Sequence, residues 1–278
     1  MKRTATVVGV LGWMLGLGLV GPAGFGQSAR PGLGSIPYAD ALGTGVTFRV
    51  WAPFATNVAV RGDFNGWTET ALINEGGGRW SVDVPAASPG HAYRYYLNGT
   101  TNKRDPRARR VSNSGTNGVS YVYDALAFDW GTTPHPKPAR KDTVIYQMHV
   151  GTFAGSPTPR TFDHATNLLD HVASLGVNAI KVMPVNEFAG SQSWGYNPAD
   201  LFAIESSYGG PDAFKRFVRA CHERGMAVFV DVVHNHYGPT DLSMWRFDGW
   251  YQGTYGGIYF YNDTRANPPW GGTRPDYG

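Results

Sequence analysis

Residues 227–237, AVFVDVVHNHY, constrain the fold of this chain more than any other stretch. They begin as an apolar run of strand length and end in four polar groups, Asp231, His234, Asn235 and His236. A buried strand whose C-terminal end turns polar is how a parallel α/β fold presents chemistry at one rim. Two earlier runs have the same character. Residues 143–150 (TVIYQMHV) read as a mostly apolar strand ending at His149, and residues 178–183 (NAIKVM) as a second, closed by Pro184. Between them, residues 162–175 (FDHATNLLDHVASL) place Leu168, Leu169, Val172 and Leu175 at helical spacing, and Gly176 supplies the stop. Residues 211–224 (PDAFKRFVRACHER) open on proline, carry Phe214, Phe217, Val218 and Cys221 on one face, and end at Gly225. The order is β-α-β-α-β with a long loop after the second strand, which builds a parallel sheet through right-handed crossovers. A barrel and a doubly wound sheet both satisfy this pattern. No G-x-G-x-x-G follows the first strand, so a dinucleotide fold has little support.

The N-terminal half has a different period. Residues 28–37 are rich in Pro, Gly and Ser and read as part of a linker over 27–42. From residue 43 to about 125 the chain shows short alternating runs. Val46, Phe48 and Val50 point one way; Thr47, Arg49 and Trp51 point the other. Further strands are expected at 58–60, 79–84, 93–97 and 120–123, with turn residues between them, as in a β-sandwich. Trp51 and Trp80 lie within strands and read as core. Residues 126–141 contain Pro134, Pro136 and Pro138 and read as a stiff connector to a second domain over 142–278.

The first 26 residues have the order of a secretory signal peptide. Lys2 and Arg3 precede an apolar, glycine-rich run to Val20, and small residues stand before Gln27. This predicts export to the periplasm or outside the cell, with no membrane span after cleavage, and a cytoplasmic protein if the segment is not a working signal. The formal net charge is only +3, too small to indicate a polyanion. The basic residues Lys103, Arg104, Arg107, Arg109 and Arg110 read as a solvated loop, and no nucleic-acid partner is expected. The single cysteine, Cys221, excludes an intrachain disulfide and reads as a small buried hydrophobe. Aromatic residues are 14% of the chain, which suits sugar stacking but equally suits a large β-rich core.

Three motifs of the first unit, FRVWAP (48–53), GDFNGW (62–67) and HAYRYYLNG (91–99), resemble carbohydrate-binding module family 48, the immunoglobulin-like sandwich that precedes many α-glucan-active barrels. In the second unit, YQMHVGTF (146–153), MPVNEF (183–188), SWGYNPADLFA (193–203), YGGPDAFKRFV (208–218) and DVVHNHYGP (231–239) resemble the first third of the (β/α)8 TIM barrel of glycoside hydrolase family 13. They are most similar to branching enzymes, isoamylase-type debranching enzymes and maltooligosyl-trehalose trehalohydrolases. The resemblance therefore implies a multi-domain N-terminal portion of a longer, retaining α-glucan enzyme, acting on glycogen, starch or maltooligosaccharide.

The resemblance also implies roles. His236 would hydrogen-bond the glucosyl unit at subsite −1. Tyr196 would stack under it, where an aromatic face suits sugar CH groups and a cationic transition state. Asp231 would be a structural carboxylate beside that subsite, Asn235 a partner in the same D-x-x-x-N-H segment, and Trp194 a lining residue of the cleft. On the sandwich, Trp67 would stack on glucose and Arg94 would meet sugar hydroxyls, but Thr100, Thr101 and Asn102 stand where a second stacking Trp is usual. A structural role for the sandwich is the other reading. His149 and Glu187 attract attention as acid/base candidates, yet neither position carries the chemistry in the family. His234 and His236 would share one side if the strand stayed extended, but no third ligand accompanies them, and neither a metal nor a cofactor is expected. The family's nucleophile, acid/base and stabilising carboxylates follow strands four, five and seven, so none is assigned here, and the chain by itself is expected to be inactive. The alternatives are an exported hydrolase of isoamylase, α-amylase or trehalohydrolase type, and a non-catalytic glucan-binding protein.

Overall fold

In a computed structural model, residues 26–153, 155, 159–267, 269 and 271–278 are described. The proposed signal segment therefore lies almost wholly outside the described residues. None of the described helices is long and apolar enough to cross a membrane.

The first unit is a sandwich of two antiparallel sheets. Its strands are β1 (Gly34–Asp40), β2 (Gly43–Trp51), β3 (Val58–Gly62), β4 (Thr70–Ala71), β5 (Ile73–Gly76), β6 (Arg79–Val84), β7 (Ala92–Leu97), β8 (Thr101–Lys103) and β9 (Ser120–Tyr121). One sheet has the order β1-β2-β6-β5 and the other β4-β3-β7-β8, with β9 also paired to β7. Val46, Phe48, Val82, Val60, Tyr93, Tyr95 and Leu97 meet between the sheets as one core, the arrangement expected when alternate residues of two sheets face each other.

The sandwich starts earlier than the sequence pattern indicates. Residues 34–40, expected as linker, pair with β2 along their whole length, from Gly34↔Arg49 to Asp40↔Gly43. Pro31 and Pro37 obscure this strand in the sequence, but β1 is an edge, where a missing N–H is tolerated. The segment just ahead of it, from Ser28 to Gly32, lies against the second face of β2, so Thr47 and Arg49 are buried along with Val46 and Phe48. Arg49 is satisfied there by Glu75 and by the carbonyls of Ser28 and Gly32.

The second unit contains β10 (Ile145–Met148), α1 (Val150–Phe153), α2 (Phe162–Thr166), α3 (Leu169–Ser174), β11 (Ala179–Val182), β12 (Asn186–Phe188), β13 (Pro198–Ile204), α4 (Gly210–Glu223) and β14 (Ala227–Val230). Strands β10, β11 and β14 form a parallel sheet in that order, as the β-α-β-α-β pattern requires. Helices and sheet share a core of Met148, Phe162, Leu169, Val172, Ile180, Val182, Phe217 and Cys221. Burial pushes the Cys221 thiol up to about 12, in keeping with a packing role.

Two details differ from the sequence reading. The helix expected over 162–175 is two short helices, α2 and α3, which bury Phe162, Ala165, Leu169 and Val172 while Leu168 and Leu175 stay exposed. The long loop after the second strand also holds an antiparallel hairpin, β12 with β13. Its register is broken twice, so the period-2 signal is lost in the sequence.

Of the basic stretch expected to be solvated, Arg107, Arg109 and Arg110 are exposed, but Arg104 is buried and Lys103 partly so. Arg104 is 2% exposed and fixes the sandwich to the second unit. Its guanidinium donates to the Asp200 carboxylate (3.0–3.3 Å) and to the carbonyls of Gly115 and Asp241 (2.7 and 2.9 Å). Lys103 Nζ donates to the Trp245 carbonyl (2.8 Å). Burial, then the Arg104 and Arg94 charges, hold this ammonium down at about 8. Phe247, from the loop after β14, inserts into the sandwich core itself.

Candidate substrate-binding rim

The C-terminal ends of β10, β11 and β14 face one side, and the hairpin loop between β12 and β13 leans over them. Asp231 follows directly on β14, and its backbone N–H donates to the Val182 carbonyl (3.0 Å). Its Oδ2 accepts from the Tyr196 hydroxyl (2.9 Å) and pairs with Lys181 Nζ (3.0 Å). Hydrogen bonding to Asp231 raises the Lys181 pKa. The Tyr196 hydroxyl is also pushed up, first by burial and then by Asp231.

Two glycines set the approach of the two loops. Gly195 has φ +85°, and a Cβ there would fall 2.0 Å from the Pro184 carbonyl oxygen. Only glycine turns the chain at this point without moving the backbone behind it. Gly238 brings the loop after β14 against Asn197, where a Cβ would lie 2.6 Å from the carbonyl oxygen. Its N–H donates to the Pro198 carbonyl (2.8 Å).

His236 joins the two loops. Its Nε2–H donates to the Tyr196 carbonyl (2.7 Å), and Asn235 Nδ2 donates to Nδ1 (2.9 Å). Tyr196, His236, Asp231 and Asn235 are thus brought together as the motif implies. Trp194 is nearby in sequence but 72% exposed.

The structure separates the other histidines from this group. β14 ends at Val230, so the extended alternation that would align His234 with His236 is not present; the His234 carbonyl accepts from the Tyr277 hydroxyl (2.9 Å). Among the described residues, no group of three or more His, Cys, Asp or Glu side chains could hold a metal ion. His149 has a positioning role. Its Nε2–H donates to the Ser193 carbonyl (2.7 Å) and its Nδ1 accepts from Thr152 (2.9 Å), which anchors the start of the Tyr196 loop.

Glu187 is fully buried and faces away from this chemistry. Its carboxylate accepts from the Ser206 N–H (2.7 Å), while Glu205 accepts from the N–H groups of Phe188 and Ser207 (3.1 and 2.9 Å). Burial, then the Glu205 charge, raises Glu187. The two acids tie the hairpin to the turn at Ser206 and Ser207 that precedes α4. Asp248 is likewise structural, accepting from the N–H groups of Phe54 and Trp250 (2.9 and 3.1 Å).

On the sandwich, Trp67 is 41% exposed with φ +61°, a left-handed conformation uncommon for a bulky residue. Asp63 accepts from its indole N–H (3.0 Å), and Asn65 locks the turn by accepting from Gly62 N–H and donating to the Val60 carbonyl. Arg94 sits on the outer face of β7, donates to the Asn102 carbonyl (3.1 Å), and is pushed down by burial and by Arg104. Trp67 and Arg94 are thus held by different partners. Lys181, Arg104 and Asp200 carry weight that sequence reasoning missed; each is a charge on a strand or its end whose partner lies far away in the sequence, even for Asp200, which stands inside the 193–203 motif.

Residues 32–112 match carbohydrate-binding module 48 (isoamylase N-terminal domain), and residues 161–249 match the alpha-amylase catalytic domain. Among curated proteins, malto-oligosyltrehalose trehalohydrolase of Saccharolobus solfataricus is 34% identical over 82% of this chain and 37% of its own length. The Deinococcus radiodurans enzyme of that name is 37% identical over 87% of this chain and 37% of its own. A 1,4-alpha-glucan branching enzyme of Xanthomonas oryzae pv. oryzae is 36% identical over 76% of this chain and 32% of its own. The crystal structure of a candidate alpha amylase from Salmonella typhimurium superposes with a TM-score of 0.73 at 32% identity, covering 88% of this chain and 38% of that one. The chain spans about a third of the length of the relatives it matches.

Proposed function

We propose that this chain, which belongs to the alpha-amylase family and joins a module 48 sandwich to part of an alpha-amylase catalytic domain, forms the wall that holds the −1 sugar in a retaining α-glucan-active enzyme. The observation that carries this reading is the Tyr196–Asp231–Lys181 network closed by His236 at the strand ends. The Asp231 carboxylate fixes the Tyr196 ring edge-on at its hydroxyl and leaves the face available to a pyranose. His236 reaches a sugar hydroxyl by sharing the Nε2 proton that it gives to the Tyr196 carbonyl. A retaining mechanism needs two carboxyl groups about 5–5.5 Å apart. Asp231 is engaged by Tyr196 and Lys181, and Asp248 by backbone N–H groups, so neither is free for that work.

Branching and trehalohydrolase-type hydrolysis share the glycosyl-enzyme step and differ in what accepts the glycosyl group. Relatives of both names stand at similar identity, so the reading covers the shared step. Export, guided by the leader-like N-terminus, and glycan stacking on Trp67 belong to the same proposal. Calorimetry of the purified chain with maltoheptaose tests it. Binding should fall at least tenfold in Tyr196→Ala and in His236→Ala, and no sugar should be released from soluble starch. Equal binding by wild type and both variants would remove the rim from the substrate path.

A further inference from the structure

The connector between the two units is strapped along α4. The Tyr123 hydroxyl donates to Asp212 (2.7 Å), Lys215 Nζ to the Ala125 carbonyl (2.7 Å), and Arg219 to the Asp129 carbonyl (2.9 Å). The fourth contact is His135 Nδ1 to His222 Nε2, at 3.2 Å. Asp212, Lys215, Arg219 and His222 follow one another at intervals of three and four residues, so all four lie on one stripe of the helix. Lys215 and Arg219 also lie over the Phe128 ring, 5.4 and 5.6 Å from its centroid.

The last rung differs from the others in chemistry. A charge or hydroxyl meets an ordinary acceptor in the first three; in the fourth, two imidazoles meet nitrogen to nitrogen. A straight N–H···N bond would separate the ring centroids by the nitrogen gap plus two ring radii. The centroids are only 4.8 Å apart, with the planes at 66°. The rings therefore do not meet along one straight N–H···N line. Two metal–nitrogen bonds of about 2.0–2.1 Å at a tetrahedral angle set their nitrogens about 3.4 Å apart.

We propose that His135 and His222 form a two-imidazole site for a first-row transition-metal ion of the Zn2+, Ni2+ or Cu2+ class, clamping the connector to the last turn of α4. Pro134 and Pro136 flank His135 and restrict its backbone, which lowers the entropy lost when the connector is fixed. With no cluster of three or more His, Cys, Asp or Glu among the described residues, water completes the coordination and the site is weaker than a four-ligand zinc centre. Imidazole donors select against Mg2+ and Ca2+, which take oxygen ligands.

Titration of the untagged chain with Zn2+ and with Ni2+, followed by calorimetry, tests the proposal. One ion per chain is expected, with no response to Mg2+. His135→Ala, His222→Ala and the milder His222→Gln should each weaken binding at least tenfold, and His171→Ala should leave it unchanged. The melting temperature should rise with Zn2+ in wild type and in His171→Ala, and stay fixed in the three ligand variants. No binding by wild type would overturn the proposal. So would binding that survives loss of either ligand, or that disappears in His234→Ala, which would place the ion at the rim.

Discussion

Replacing Arg104 by Ala should uncouple the two units most visibly. The guanidinium is 2% exposed and makes three contacts of 3.0–3.3 Å with Asp200, itself 3% exposed. Burial already raises the Asp200 carboxyl above its ordinary value, and Arg104 is the main group opposing that rise. Without the arginine, a buried carboxylate and the carbonyls of Gly115 and Asp241 lose their partner. Removing one member of a buried ion pair costs about 3–5 kcal/mol, a large share of the roughly 5–15 kcal/mol that holds a domain folded. Urea unfolding read by tryptophan fluorescence should show that loss in Arg104→Ala. The double variant Arg104→Met/Asp200→Leu should recover most of it, because apolar replacement of both partners is often neutral or better. Because Arg104 bonds to both units, wild type should unfold in one transition and Arg104→Ala in two. A cost under about 1 kcal/mol, or additive effects of the two single changes, would show that the pair does not join the units.

The remaining expectations concern pH, the rim and the sandwich. Glu187 is raised in the folded state, so the stability it contributes is fully present below the ordinary carboxylate range, about pH 4, and is lost as pH rises through the raised value. The folded form binds more protons than the unfolded one in that window. The urea midpoint should therefore fall between about pH 5 and pH 8, and Glu187→Gln should flatten the slope; an unchanged slope in the variant would show that this acid is not the cause. Gly195→Ala puts a Cβ 2.0 Å from the Pro184 oxygen at φ +85°. It should cost about 1–3 kcal/mol and weaken maltoheptaose binding, and a variant that binds as wild type would mean the Tyr196 loop has another way to turn. Trp67→Ala should change stability by no more than about 0.5 kcal/mol, while reducing retention on insoluble starch. Equal retention of both proteins would leave the sandwich a purely structural part.

What the sequence made legible and what it hid follow from one physical difference. The three parallel strands and α4 were readable because each rests on local signals: apolar runs and proline and glycine boundaries; the Tyr196–Asp231 hydrogen bond, between residues 35 apart, was not. β1 and the β12–β13 hairpin were hidden because edge position and broken register, not composition, make them strands. Arg104 was misread for the same reason. In the sequence it lies among Lys103, Arg107, Arg109 and Arg110, and a run of charge ordinarily faces water. Its partner is 96 residues away, on a strand the pattern did not reveal. That partner stands four positions after Tyr196, in the segment whose Gly195, Tyr196 and Asn197 shape the rim. The sandwich therefore reaches the rim through a buried charge and not through Trp67. On this geometry, a loss of glucan binding in Arg104 variants would report a displaced Tyr196 loop, and Trp67 variants would leave that loop in place.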